Sequence, residues 1–427
     1  MPATGKTFLF LQGPHGPFFW QLAKMVQASG AQVWRVGFNR GDRAFWFSKD
    51  TYIPFSEPSE MWRPRLAEII AEKSVTDIVL YGDTRRVHAQ AVEQAKELGL
   101  TVHVFEEGYL RPYWVSYERG GSNGNSRLMQ MEVSEMRDAL ADRDPDLPDA
   151  PARWGDMRQH MFYGMLYHFF VLMMNAQYRN FRPHRTLTVL QEFRLYLRRL
   201  ALMPIYALER RLATLRIKAG GFPYHLVLLQ LSHDANFTNH SRFDSMQSFL
   251  DLVISGFADG AAQHHHLVLK AHPLEDGRSP IRRNIQALAE KYGVAGRIHY
   301  IRGGKLAGLL NTARTSITVN STAAQQALWR GLPLKAYGDA VYNKPEFISD
   351  QSLVDFFVKP SPPDSRAYRD YRQYLLETSQ VQGGFYSARG RRRLLRSVVD
   401  KMLSKHDPYD ALLEEIATPR QQLRLVP

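Results

Sequence analysis

TDIVLYGDTRRVHAQAVEQAKELGLTVHVFEEG, residues 76–108, decides the fold class. An apolar run, TDIVLYG (76–82), leads into RRVHAQAVEQAKELG (85–99), which has a helical pattern and closes on Gly99 as a C-cap would. A second apolar run, TVHVFEE (101–107), follows. Neither run has a wet face, so the stretch reads as two buried parallel strands joined by a helix. Upstream, TFLFLQ (7–12) and AQVWRV (31–36) flank the helical FFWQLAKMVQASG, which extends the α/β layer over residues 1–150.

Turn-rich GGSNGNS (120–126) and DRDPDLPDAP (142–151) break the pattern. It resumes with YHLVLLQL (224–231), HLVLKAH (266–272), RIHYI (297–301), TSITVN (315–320) and PLKAYG (333–338). The expected organisation is an N-terminal α/β domain (1–150), a basic amphipathic helical segment (151–220), a second α/β domain (221–365) and C-terminal helices (366–427). Two Rossmann-like domains facing a cleft would bind ligands at the carboxyl ends of their strands.

The 427 residues allow about two or three domains. With no cysteine, disulfides and thiolate metal sites are excluded. The N-terminus reads as a first strand rather than a signal peptide, and no apolar run approaches the ~18 residues of a membrane-spanning helix. The formal net charge is +13, and +9 of it falls in residues 157–218, where eleven Arg or Lys face two acids. Interleaved Phe, Tyr, Met and Leu suit an anionic membrane surface or a nucleic acid. A helical insertion with an apolar core side and solvated arginines would give the same pattern.

Five strand-end loops carry candidate chemistry. QGPHGPF (12–18) offers Gly13 and Gly16 for close backbone approach and His15 for proton transfer. Glu106 and Glu107 are neighbouring carboxylates that repel, so one can keep a raised pKa and shuttle protons or attack an electrophilic carbon. Gly108 removes bulk where a sugar ring would approach; a surface turn pairing the acids with Arg111 is the plainer alternative. LVLKAHPLEDG (267–277) aims His272 outward through Pro273, with Lys270 near to neutralise a phosphate. In ITVNSTAAQQALWRGLP (317–333), Asn320, Ser321 and Thr322 precede a helix whose N-terminus suits a phosphate, though simple capping explains the hydroxyls equally. LLQLSHDANF (228–237) places Gln230, His233 and Asp234 where a base or sugar hydroxyl could be read. The run His264-His265-His266 is not expected to bind metal, because consecutive residues diverge.

In this order and spacing, FLFLQGPHGPFF, FEEGYLRP, LLQLSHDANF, LKAHP and VNSTAAQQALWRGLP resemble the capsule polysaccharide biosynthesis family of the KpsS and LipB type. The resemblance implies a GT-B-like glycosyltransferase that moves 3-deoxy-D-manno-octulosonic acid (Kdo) from CMP-β-Kdo, with retention, onto a phosphatidylglycerol-type lipid. It assigns Glu107, with Glu106 as runner-up, to the anomeric carbon or the acceptor hydroxyl. His272 and the Ser321-Thr322 pair go to the departing CMP phosphate; the donor sugar carries its own carboxylate, which nearby cations such as Lys270, Arg302 or Lys305 could bind. The loop SHDAN (232–236) departs from the family's pattern at Asp234. No cofactor or essential metal is expected, and no nucleic-acid partner. A lipid acceptor at an anionic membrane and other capsule assembly proteins are the expected partners, with a peripheral place on the inner face of the inner membrane. The alternatives are a transferase for another CMP-sugar such as sialic acid, a linker-extending transferase, and a non-catalytic export or assembly factor.

Overall fold

Apolar runs and helices alternate to build two mostly parallel sheets in a computed structural model that describes residues 5–141, 156–180, 187–232, 235–275 and 277–414. They belong to two units: Met1–Arg127 with Asp138–Arg194 and Gln373–Pro427, and Leu128–Arg137 with Leu195–Arg372. The fold is α/β, as the strand–helix alternation required.

The first unit holds β1 (Thr7–Phe10), β2 (Gln32–Gly37), β3 (Tyr52–Pro54), β4 (Asp77–Tyr81), β5 (Thr101–Glu107), β6 (Trp114–Arg119) and β12 (Gln380–Gln382). Their order is β12-β6-β5-β4-β1-β2-β3; β1 to β5 are parallel, and β6 and β12 add antiparallel pairs at one edge. Helices α1 (Phe18–Ala28), α2 (Arg40–Ala44), α3 (Trp62–Lys73) and α4 (Arg86–Glu97) punctuate the strands. One apolar cluster joins Phe8, Phe10 and Phe105 to α1, and another joins Leu9, Ile78 and Val104 to α3 and α4, so the helices cover both faces.

After α5 (Val133–Asp138), α6 (Asp156–Met174) packs against α2. The long α7 (Val189–Gly220) carries Pro204 inside it. The second unit has β7 (Tyr224–Leu228), β8 (His266–Lys270), β9 (Ile298–Ile301), β10 (Ala313–Thr318) and β11 (Leu334–Ala336), all parallel in the order β11-β10-β7-β8-β9. Its helices are α8 (Ala235–Asn239), α9 (Met246–Gly260), α10 (Ile281–Lys291), α11 (Leu306–Leu310), α12 (Gln325–Leu328), α13 (Leu353–Val358) and most of α14 (Ser365–Glu377). A single apolar cluster runs from α9 through β7, β8 and β10 to α13.

The chain then returns to the first unit. There β12 pairs with β6, while α15 (Ala388–Leu403) lays Leu394, Val398 and Met402 into the cluster of α1; α16 (Pro408–Leu413) follows. In each sheet the strand order reverses once, between β1 and β4 and between β7 and β10. Such reversal points open a crevice at the strands' carboxyl ends.

Candidate active site

In the first unit the loop after β1 sits at the reversal point. A Cβ on Gly13 would lie 2.6 Å from the Phe19 ring, and Gly16, at φ +117°, has Tyr163 of α6 3.1 Å from where its Cβ would be. Both glycines therefore serve close packing around His15. That imidazole stacks on Tyr167 of α6, ring centres 4.3 Å apart. The Tyr167 hydroxyl accepts from Asn39 Nδ2 at 2.6 Å and donates to buried Asp42 at 3.3 Å. Gln12 Nε2 and the Phe38 amide also donate to Asp42, at 3.1 and 2.9 Å. Helix α6 is thus a wall of this loop, a role that reading the segment as a basic insertion did not anticipate.

Glu106 and Glu107 close β5, and alternation sends them to opposite faces of the sheet. Glu107 shares the face of Phe105, α1 and α15; Glu106 shares that of Val104 and α4. Tyr81 donates to Glu107 Oε1 at 3.3 Å, and Arg85 lies 5.6 Å from the Tyr81 ring centre. Burial first, then the charges of Tyr386, Glu107 and Glu106, hold the Tyr81 phenol well above its ordinary pKa, so it is a lasting proton donor to Glu107. Glu106 Oε1 accepts from the Glu107 amide at 3.0 Å.

One expectation is corrected here. The space above Gly108 is not kept for a sugar: a Cβ there would stand 2.2 Å from the Trp114 carbonyl oxygen, because the β5–β6 hairpin closes through Gly108 N–H to that oxygen. Arg111 Nε donates to the Gly108 carbonyl at 3.3 Å.

In the second unit the Gln230 amide joins two strand ends. Its Nε2 donates to Asn320 Oδ1 at 2.7 Å and its Oε1 accepts from the Asn320 amide at 3.0 Å, tying the ends of β7 and β10 together. Gln230 and Asn320 therefore shape the crevice. Asp234 lies outside the described residues, as does His233. Ser321 caps the next helical turn, accepting from the Ala323 amide at 3.3 Å. The helix is short, Thr322–Ala324 running into α12, so its dipole is modest. The Thr322 hydroxyl has no hydrogen-bond partner among the described residues, and the residue is half-buried.

Lys270, at the end of β8, is 6% exposed and has no acceptor among the described residues. Burial, and then the positive charge of Arg210, push its ammonium down to about 8. Arg210 comes from α7, its stem 2.9 Å from where a Cβ on Gly304 would be. A buried ammonium with a second cation beside it is costly unless an anion arrives. His272 Nδ1 accepts from the Leu274 amide at 3.1 Å, so in the neutral ring Nε2 carries the proton. Arg199 of α7 fixes the turn by donating to the Pro273 carbonyl at 2.9 Å. Arg302 lies over the Tyr206 ring at 4.2 Å and pairs with Glu209 at 3.6 Å, while Lys305 is exposed at the start of α11.

The three consecutive histidines diverge: His265 Nδ1 meets His225 at 3.1 Å, and His266 meets His299 at 2.8 Å. Among the described residues, no three His, Cys, Asp or Glu side chains are grouped to hold a metal ion. Tyr81, Arg85, Tyr167 and Arg210 were missed. Tyr81 and Arg85 flank the end of β4, which the strand order would have flagged; Tyr167 and Arg210 lie far along the chain from the loops they serve.

A profile of the family described as capsule polysaccharide biosynthesis protein matches residues 76–386. The chain is 29% identical over 393 residues to the capsule polysaccharide export protein KpsS of Escherichia coli, covering 90% of this chain and 97% of that one. Identity is also 29% over 390 residues to the capsule polysaccharide modification protein LipB of Neisseria meningitidis serogroup A, covering 90% and 92%. Among solved structures, Thermosulfurimonas dismutans KpsC, a beta Kdo 2,7 transferase, aligns over 96% of this chain and 99% of that chain, at 12% identity and a TM-score of 0.42. The family match runs from β4 to the loop before α15 and takes in Glu106, Glu107, His272 and Ser321: the chain belongs to the capsule polysaccharide biosynthesis protein family.

Proposed function

We propose that the protein is a glycosyltransferase that moves Kdo from CMP-β-Kdo, with retention, onto a phosphatidylglycerol-type lipid, starting the linker of a capsular polysaccharide at the inner face of the inner membrane. The observation that carries this reading is the buried Lys270 beside Arg210, without an acceptor among the described residues and two positions before His272. A CMP-sugar acid brings two anions, a phosphate and a carboxylate, and these cations suit either. The His272 Nε2 proton and the Thr322 hydroxyl serve the phosphate as it leaves. Retention asks for a nucleophile and two displacements. Glu107 takes that role because Tyr81 orients its carboxylate, with Glu106 as runner-up. No metal is assigned a part.

The test is incubation with CMP-Kdo, generated in situ, and a fluorescent phosphatidylglycerol or lysophosphatidylglycerol. The expected product is heavier by one Kdo and is lost in Glu107→Ala and His272→Ala. Product only with another activated sugar would move the assignment to that donor. Both variants supporting capsule formation in cells would favour a non-catalytic export or assembly factor, the reading suggested by the Escherichia coli relative's name.

A further inference from the structure

We propose that the outer face of α7 is a membrane-contacting surface that lies flat on an anionic lipid bilayer. Leu197, Ile205, Leu208, Leu212 and Leu215 are large aliphatic side chains between 45% and 60% exposed. Their spacing of three or four residues, with Ala201 filling the gap, puts them on one helical face. Arg198, Arg211 and Arg216 are exposed beside that stripe. The opposite face is anchored: Arg199 bonds the Pro273 carbonyl, Tyr206 lies under Arg302, and Ile217 is buried. The helix's acids do not dilute the stripe, since Glu192 is buried and Glu209 pairs with Arg282 and Arg302.

From Leu197 to Leu215 the stripe is ~27 Å long. No helix among the described residues is apolar enough to cross a bilayer. An aliphatic centre with guanidinium borders matches an acyl boundary below anionic headgroups. A second copy docked face to face would set arginines against arginines. A nucleic acid would leave the leucines in water. The inference stands on α7 alone and holds whether or not the protein transfers a sugar.

The test is co-sedimentation of the full chain with vesicles of phosphatidylcholine alone and of an equimolar phosphatidylcholine–phosphatidylglycerol mixture, without donor. Wild type should sediment with the mixed vesicles. Leu208→Ser/Leu212→Ser should weaken partitioning about tenfold, because two interfacial leucines are lost. Arg198→Glu/Arg211→Glu should abolish the preference for phosphatidylglycerol. These side chains face solvent, so far-UV circular dichroism and melting should not change. Because the chain has no cysteine, a dye on Leu208→Cys gives an independent readout, a blue shift with mixed vesicles. Wild type left in the supernatant, unaltered binding of the variants, no shift of the dye, or a dimer that Leu208→Ser dissociates would each overturn the proposal.

Discussion

Lys270 is the residue where burial and chemistry meet most sharply. Its ammonium is held at about 8, so it is charged below that value and neutral above it. If it binds the donor's anion, affinity is steady in mildly acidic and neutral solution and falls as pH rises through about 8. Lys270→Arg, whose guanidinium stays charged (pKa above ~12), should remove that alkaline limb. The check is donor KM against pH for both proteins. Across the carboxylate pair the expectation is asymmetric. Glu107→Gln should lower kcat by about a thousandfold or more, as losing a nucleophile does, while Glu106→Gln costs far less. Comparable losses would mean that the pair acts as one unit. Position at strand ends marks these residues in the sequence, but not their partners. Nothing local to Glu107 or Lys270 announces Tyr81 or Arg210.

The β5–β6 hairpin couples element to site. Glu107 pairs with Val115, and the next residue, Gly108, bonds Trp114. Gly108→Ala would push a methyl group into that carbonyl, so the hairpin must open and carry Glu107 with it. A loss of about 3 kcal/mol or more is expected, at the severe end for a single substitution. Thermal unfolding measures it, together with loss of any Glu107-dependent activity; an unchanged melting temperature would refute the close approach. At this scale β5 ended where the sequence said, because an unbroken apolar run needs no distant help. Strand β6 was unreadable for the opposite reason. Its Ser116 and Glu118 interrupt WVSYER, and both are buried. Glu118 is satisfied by hydroxyls from Tyr109, Ser126 and Tyr409, the last of them 291 residues away.

Over the whole molecule the two α/β halves were legible from their two series of apolar runs, but the closing of the first unit by the chain's end was not. Residues 366–427 read as helices, and the apolar face of a helix does not name its partner. Phe385, Leu394, Leu395, Val398, Val399 and Met402 are buried in the cluster of β1 and α1. At ~1.5–3 kcal/mol each they amount to roughly 9–18 kcal/mol, which matches or exceeds a domain's whole stability. A chain ending at Thr378 should therefore lose the first unit's cooperative unfolding. The second unit's cluster draws on no residue beyond Phe357, so its core is left intact. Limited proteolysis should yield a resistant fragment within residues 195–372, with the N-terminal sheet digested. Resistance of residues 5–127 in the shortened chain would mean that α15 covers the first sheet without holding it together.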